Sequence, residues 1–135
     1  MLKKYELQHG MASLAGEKQQ PLYDEIWKNE GKICTPGGSS LNSIRSASYM
    51  LTAAGHPNKT AFFGCIGNDD FGKTLEAELE NGGVHSLLCK DAGTATGACA
   101  VLVYQVERTL CANLGACLKY PTSHLEQNIS ILERS

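Results

Sequence analysis

The sequence has 135 residues, of which 42% are hydrophobic and 19% are charged, and its formal net charge at pH 7 is −2. This length predicts about one domain with a buried core, and the weak negative charge disfavours nucleic acid or an anionic membrane surface as a partner. No apolar run approaches the roughly 20 residues of a membrane span, and the first residues lack the apolar stretch of a signal peptide, so we expect a cytoplasmic protein, with the nucleus left open as a further location.

The first half of the chain alternates between helical and extended patterns. We predict a helix over residues 21–29, with proline in its first turn, and a second helix over residues 40–54. Gly55 follows the second helix at the position where a left-handed helix stop belongs. A short strand is predicted at residues 32–35, and a longer strand at residues 60–66, whose continuous apolar run favours burial on both faces.

The second half is predicted to contain one helix followed by three strands. Asn68, Asp69 and Asp70 lie in a turn that is expected to cap a helix over residues 71–81. Strands are predicted at three further ranges, of which the last two form a hairpin: 84–89, 97–104 and 108–114. Strands that alternate with helices predict an α/β fold, and we expect residues 1–135 to form a single α/β unit.

A last helix is predicted near the end of the sequence. Ser123 and Glu126 have the spacing of a capping box, in which the side chain of each residue bonds the backbone of the other. This pattern predicts a helix that runs from Ser123 toward Leu132.

The six cysteines contain no Cys-x-x-Cys pair, and the four histidines lie far from them in the sequence. Zinc sites favour closely spaced ligand pairs, so we expect no metal site. Four of the cysteines lie in apolar runs that are typical of buried, reduced thiols: Cys34, Cys65, Cys99 and Cys111.

A glycine pair stands directly before the second predicted helix, in the segment TPGGSSLNS at residues 35–43. Glycines allow a ligand to approach the backbone closely, and a helix start offers free N–H groups. Asn42 in the first turn carries both a donor and an acceptor, which suits a diol or another neutral polar group better than a phosphate. No Gly-Lys-Ser/Thr follows, so the segment is not a Walker A loop, and a plain tight turn is the alternative.

Four segments occur in an order that resembles a known family: GGSSLNS at 37–43, FFGCIGNDDFG at 62–72, TGACAVLV at 96–103 and ERTLCANLGAC at 107–117. Together they resemble the adenosine kinases, which belong to the ribokinase-like (PfkB) carbohydrate kinases, over about residues 11–121. The last segment is similar to adenosine kinases rather than to sugar kinases. The resemblance implies part of a ribokinase-like fold, namely a lid-domain sheet with helices and the start of the large α/β core.

The resemblance also implies a nucleoside-binding site. Gly38 and Asn42, with Gly37 beside them, match the positions that hold the ribose hydroxyls in this family. Cys99 matches a position that lines the adenosine pocket, although a cysteine in a strand also fits ordinary packing.

Three more residues match positions of the lid. Leu110 and Leu114 match apolar residues that cover the base, and Arg108 matches an arginine at the lid edge that reaches the transferring phosphate. Without the resemblance, the two leucines also fit ordinary core and the arginine fits a solvated surface charge. We expect Gly38, Asn42, Cys99, Leu110 and Leu114 to converge on one concavity.

The implied activity is the ATP- and Mg²⁺-dependent phosphorylation of the 5′-hydroxyl of adenosine to AMP, a purine salvage reaction. Two family motifs are absent from these residues: an Asn-Pro-Leu-Leu-Asp-like segment whose aspartate also binds ribose, and the Gly-Ala-Gly-Asp segment that supplies the anion hole and the general base. We therefore expect a monomeric fragment or truncated product that is inactive by itself and holds neither ATP nor Mg²⁺ firmly. The alternatives are a non-catalytic nucleoside-binding or interaction module and, less favoured, a sugar kinase of the same superfamily.

Overall fold

The computed structural model describes residues 1–132 and divides into two compact units. The first unit contains residues 1–34 and 97–114, and the second contains residues 35–96 and those from 115 onward. Each unit has its own sheet, and a single α/β unit over residues 1–135 stays a prediction. Among the described residues, no helix combines the length and the apolar character needed to span a membrane.

The first unit is built around a sheet of three strands: β1 (Ala12–Leu14), β4 (Ala98–Tyr104) and β5 (Glu107–Asn113). Their order in the sheet is β1–β5–β4. β4 and β5 are antiparallel, and Gln105 in the turn between them has a positive φ of 56°. β1 runs parallel to β5. The predicted hairpin is confirmed, whereas β1 was not predicted.

The core of the first unit lies on one face of this sheet, beneath the helix α1 (Gln20–Trp27). Leu22 of α1 is fully buried and packs in a cluster with Tyr5, Ala100 and Cys111. The Tyr23 hydroxyl donates a hydrogen bond to the Cys111 carbonyl at 2.8 Å. The helix predicted at residues 21–29 is confirmed with slightly different ends, and its apolar residues hold it on β4 and β5.

The second unit contains a parallel pair of strands, β2 (Thr60–Gly67) and β3 (Val84–Asp91), joined through the helix α3 (Asp70–Asn81). The helix α2 (Ser39–Ala53) precedes β2. Both helices pack on one face of the strand pair around a cluster of apolar residues: Leu41, Ile44, Phe62, Leu75, Leu79, Val84 and Leu88. Every residue of β2 is buried or half-buried, as the continuous apolar run predicted.

The ends of α2 and α3 follow the predicted signals. α2 ends at Ala53, and Gly55 shortly beyond it has a φ of 85°, which is the left-handed stop that was predicted. Asp69 caps α3, because its side chain accepts a hydrogen bond from the Gly72 N–H at 2.9 Å.

One predicted strand is wrong, and one predicted helix is divided into two. Residues 32–35 form no strand, because Ile33 is 91% exposed and Pro36 cannot donate to a sheet. The last predicted helix is two short helices, α4 (Thr122–Gln127) and α5 (Ile129–Leu132). Pro121 occupies the position before α4 without a side-chain cap, so Ser123 lies inside the first turn and forms no capping box.

The predicted burial of the cysteines is half right. Cys65 and Cys111 are buried as predicted, whereas Cys34 and Cys99 are exposed. Cys34 lies in the segment without regular structure, and Cys99 lies on the face of its sheet that α1 does not cover. All six cysteines are free of disulfide bonds.

Asp69 also joins the end of β2 to the loop that follows β3. Its carboxylate accepts hydrogen bonds from the Thr96 N–H at 2.7 Å and the Thr96 hydroxyl at 2.6 Å, in addition to that from Gly72. The Thr96 hydroxyl in turn accepts from the Gly67 N–H at 2.9 Å. Desolvation raises the pKa of Asp69, but the hydrogen bonds from Thr96 and Gly72 outweigh it, so this pKa lies below its ordinary value of 3.8.

Replacing Asp69 with asparagine is expected to lower the free energy of unfolding at pH 7 by about 2 kcal/mol, because charge-assisted hydrogen bonds are lost. The folded-state pKa of Asp69 is lower than the unfolded-state value, so its contribution is fully present above about pH 4 and is lost as the pH falls through the folded-state pKa. In urea unfolding, the difference between the wild type and Asp69→Asn is therefore expected to be full at pH 7 and to shrink at acid pH.

Asp70→Asn is the matched control, since the Asp70 carboxylate pairs with Lys73 at 3.0 Å and its side chain is 86% exposed. We expect it to change the free energy of unfolding by less than about 0.5 kcal/mol at either pH. A loss in Asp70→Asn equal to that in Asp69→Asn would contradict the assignment.

Candidate functional site

The glycine pair of the second unit shapes the entry to α2. Gly38 has a φ of 109° and a ψ of 140°, a conformation that side-chain-bearing residues rarely adopt. A Cβ built on Gly38 meets nothing within 4 Å, so the backbone faces open space rather than packed atoms. The glycine at this position therefore serves the turn and at the same time leaves the backbone open to a ligand.

Asn42 lies in the first turn of α2, where its backbone N–H donates to the Gly38 carbonyl at 2.9 Å. Its side-chain amide is exposed and makes no hydrogen bond within residues 1–132. The neighbouring Ser43 hydroxyl, by contrast, already donates a hydrogen bond within the helix, to the Ser39 carbonyl at 2.9 Å. The amide of Asn42 can therefore both donate to and accept from a hydroxyl of a ligand.

The first unit has an outer face, which is the face of the sheet opposite α1. The strand register places eight side chains on it: Ala12, Leu14, Cys99, Val101, Val103, Arg108, Leu110 and Ala112. Cys99 is paired with Ala112, and Leu110 is paired with Val101 on one side and Ala12 on the other. All but one of these side chains are apolar or weakly polar, which suits the flat surface of a base or another apolar ring.

Two predicted site residues lie at the ends of the β5 segment. Arg108 is exposed and forms no ion pair within the part of the chain that the structure describes. Leu114 directly follows β5 and is 37% exposed. A Cβ on Gly97 would lie 2.6 Å from the Leu114 carbonyl oxygen, so glycine is required for this close approach of the two chain segments.

The Cys99 thiol lies on the outer face and donates weakly to the Ala100 carbonyl at 3.8 Å. Desolvation by the surrounding atoms raises the pKa of Cys99 above its ordinary value, with a smaller effect from the neighbouring Cys111. The thiol is therefore protonated at neutral pH and acts as a small apolar surface rather than as a nucleophile.

The predicted site residues thus form two groups, one in each unit. Gly37, Gly38 and Asn42 lie together at the start of α2, whereas Cys99, Arg108 and Leu110 share the outer face. Their convergence on one concavity stays a prediction.

Leu14 was not predicted as a site residue, although it lies on the outer face and is 67% exposed. Ala112 of β5 is paired with Leu14 of β1 on one side and with Cys99 of β4 on the other, so these three side chains form one row across the sheet. The alternation of Ala12, Ser13 and Leu14 is the signal that indicates a strand here, but three residues are too few for a periodicity to stand out.

Within residues 1–132, no three histidine, cysteine or acidic side chains are grouped so that they could hold a metal ion. The expectation that the chain binds no metal firmly stays a prediction.

Comparisons with known proteins identify the family of this chain. A family model described as pfkB family carbohydrate kinase matches residues 13–135. Adenosine kinase 1 of Arabidopsis thaliana is 35% identical over 136 residues, which cover 99% of this chain and 39% of that relative. The adenosine kinase of Anopheles gambiae, solved in complex with a di(adenosine-5) tetraphosphate, superposes with a TM-score of 0.90 at 37% identity, over 98% of this chain and 41% of that structure.

A third similar protein is the adenosine kinase of Schistosoma mansoni in complex with adenosine, with a TM-score of 0.88 at 29% identity over 98% of this chain and 38% of that structure. The chain belongs to the pfkB family of carbohydrate kinases. Its predicted partial ribokinase-like α/β fold and its resemblance to adenosine kinases are confirmed. The chain spans about 39% of the length of the curated relative from Arabidopsis thaliana.

Proposed function

We propose that these residues form the nucleoside-binding part of an adenosine kinase, an enzyme that transfers a phosphoryl group from ATP to the 5′-hydroxyl of adenosine. The observation that carries the proposal is the outer face, on which the Cys99–Ala112 pair is followed by the Val101–Leu110 pair, two register positions along. The similarity to adenosine kinases of known structure, one of them solved with adenosine, supports adenosine as the substrate.

The two groups of site residues bind different parts of the nucleoside, one the ribose and the other the base. Gly37, Gly38 and Asn42 bind the ribose hydroxyls, because an open backbone and a free amide suit a neutral diol. On the outer face, Cys99 and Leu110 pack against the base, as does Leu114 beyond the end of β5.

Arg108 approaches the phosphoryl group during transfer. Phosphoryl transfer depends mainly on positioning and on stabilisation of the developing charge, and a guanidinium at the lid edge supplies such charge. Closing a lid also excludes water, which would otherwise accept the phosphoryl group.

ATP and Mg²⁺ belong to the proposal for the complete family enzyme, in which the metal ion neutralises charge on the phosphates. We assign no Mg²⁺ ligand to residues 1–132. We propose further that the enzyme serves purine salvage in the cytoplasm, with the nucleus as a second location, and acts as a monomer without nucleic acid or membrane partners. The 135 residues by themselves are proposed to be catalytically inactive.

Adenosine is expected to bind the chain with a dissociation constant in the millimolar range, about −4 kcal/mol. Binding is weak because the Asn-Pro-Leu-Leu-Asp-like segment, whose aspartate also binds ribose in this family, does not occur in these residues. In an NMR titration with ¹⁵N-labelled protein, adenosine is expected to shift the amide signals of Asn42 and Leu110. The analogue 2′,3′-dideoxyadenosine is expected to shift Leu110 only, because it lacks the ribose hydroxyls.

The variant Asn42→Ala is expected to weaken adenosine binding about fivefold, the value of one hydrogen bond, and to leave dideoxyadenosine binding unchanged. Ser46→Ala, one turn further along α2, is the matched control and is expected to bind both nucleosides like the wild type. Ribose that binds as tightly as adenosine would favour the sugar kinase alternative. Shifts confined to residues outside the two groups would contradict the proposed site.

A further inference from the structure

Two cysteines outside the candidate site stand directly opposite each other in the second unit. The register of the parallel strands pairs Cys65 of β2 with Cys89 of β3. Because side chains alternate along a strand, both lie on the face opposite Phe62 and Leu88, which pack beneath α2 and α3. Cys65 is buried, Cys89 is half-buried, and neither forms a disulfide here.

The backbone spacing of this pair fits a disulfide. Neighbouring strands lie about 4.8 Å apart, and the Cα atoms joined by disulfides are usually about 4.4–6.8 Å apart. Because Cys65 and Cys89 are directly paired in the register, their side chains leave the same face of the strand pair side by side. A bond can therefore form without separating β2 from β3.

The two thiols differ in reactivity. Desolvation, followed by the hydrogen bond with Cys89, raises the pKa of Cys65 to about 11, so this thiol is protonated at neutral pH. Cys89 is more exposed and is the thiol that an oxidant reaches first. Cys65 then lies in position to react with the oxidised Cys89.

We propose that Cys65 and Cys89 form a reversible disulfide when the protein meets a peroxide. The Cys89 sulfur attacks the peroxide, an S–O bond forms as the O–O bond breaks, and one water molecule leaves. The Cys65 sulfur then attacks the Cys89 sulfenic acid, and the S–S bond forms as the S–O bond breaks. The two thiols together lose two protons and two electrons, and hydrogen peroxide is reduced to two water molecules.

The bond would brace the end of the sheet that carries the Asp69–Thr96 hydrogen bonds. Cys65 and Cys89 each lie two residues before the last residue of their strand, Gly67 and Asp91. A disulfide closes the loop that contains α3, and closing a loop stabilises a fold mainly by restricting the unfolded chain. Oxidation is therefore expected to make the second unit more stable without contact with the proposed nucleoside-binding residues.

Cys117 is the competing partner. It is exposed and lies in the 3₁₀ helix Gly115–Lys119, which packs against β2 and β3. The experiment therefore uses a background in which the three exposed cysteines are replaced: Cys34→Ser, Cys99→Ser and Cys117→Ser.

In this background, hydrogen peroxide is expected to lower the intact mass by about 2 Da, to produce a peptide in which Cys65 is linked to Cys89, and to raise the melting temperature by about 5 °C. Dithiothreitol is expected to reverse all three changes. Adding Cys89→Ser to the background is the matched control, and it is expected to abolish the mass loss and the rise in melting temperature while the circular dichroism spectrum stays the same.

Separate alkylation of Cys65 and Cys89 after peroxide treatment would overturn the proposal. A mass gain of about 32 Da at Cys89, which marks sulfinic acid, would also overturn it, because it shows that Cys65 does not reach the oxidised sulfur. In the protein with all six cysteines, a Cys89–Cys117 peptide in place of the Cys65–Cys89 peptide would show that Cys117, not Cys65, reacts with the oxidised Cys89. This result would also overturn the proposal.

Discussion

Replacing Gly67 with alanine is expected to destabilise the second unit by about 3 kcal/mol, at the upper end of what overpacking causes. A Cβ at this position would lie 2.5 Å from the Thr94 carbonyl oxygen and 2.6 Å from the Thr96 nitrogen. Both are backbone atoms, so no side-chain rotation can make room. The loop must move away, and the hydrogen bonds that join Thr96 to Gly67 and Asp69 are lost with it.

Gly93→Ala is the matched control, because a Cβ on Gly93 in the same loop meets nothing within 4 Å. We expect its free energy of unfolding to stay within about 0.5 kcal/mol of the wild type. The measurement is urea unfolding followed by the amide NMR signals of β2 and β3. A Gly67→Ala protein that unfolds at the same urea concentration as Gly93→Ala would show that the loop accommodates a methyl group and would refute the prediction.

The elements that the sequence predicted correctly are those with local signals. α2 and α3 carry apolar residues at helical spacing and end at glycines, and β2 is a long apolar run. Each signal lies within the element itself, so no knowledge of distant partners was needed.

The errors concern elements that depend on distant partners. β1 has three residues and exists because Ala12 and Leu14 pair with Leu110 and Ala112, nearly a hundred positions away. Residues 32–35 show an equally short apolar pattern but find no partner strand. A local pattern of three or four residues cannot distinguish these two cases.

Individual residues show the same difference between local signals, which were predictable, and contacts with distant partners, which were not. A cap within residues 68–70 was predictable from their position before a helix, whereas the bonds of Asp69 with Thr96 span 27 positions and left no pattern in the sequence. The roles of Gly38, Cys99 and Leu110 were accessible only through ordered family motifs, since each residue alone equally fits a turn or ordinary packing. Leu14 was not predicted as a site residue because β1, the strand that places it on the outer face, was not predicted.

The chain of 135 residues is expected to form no AMP from adenosine, ATP and Mg²⁺ above the background of a mock reaction. A 5′-hydroxyl is a poor nucleophile at neutral pH, and a positioned general base contributes about 10²- to 10⁴-fold to its reaction. The family assigns this base and the anion hole to a Gly-Ala-Gly-Asp segment, which does not occur in these residues. The developing phosphoryl charge also needs preorganised donors and a held metal ion.

Arg108 cannot replace that segment, because a permanently protonated guanidinium neither accepts a proton nor binds Mg²⁺. The assay measures AMP by chromatography at high protein concentration, with the adenosine kinase of Arabidopsis thaliana as the positive control. The variant Arg108→Ala is expected to give the same background signal as the wild type, because charge stabilisation has no effect when no base starts the reaction. Turnover above background that Arg108→Ala abolishes would mean that another carboxylate of this chain serves as the base, and it would overturn the proposed inactivity while supporting the role of Arg108.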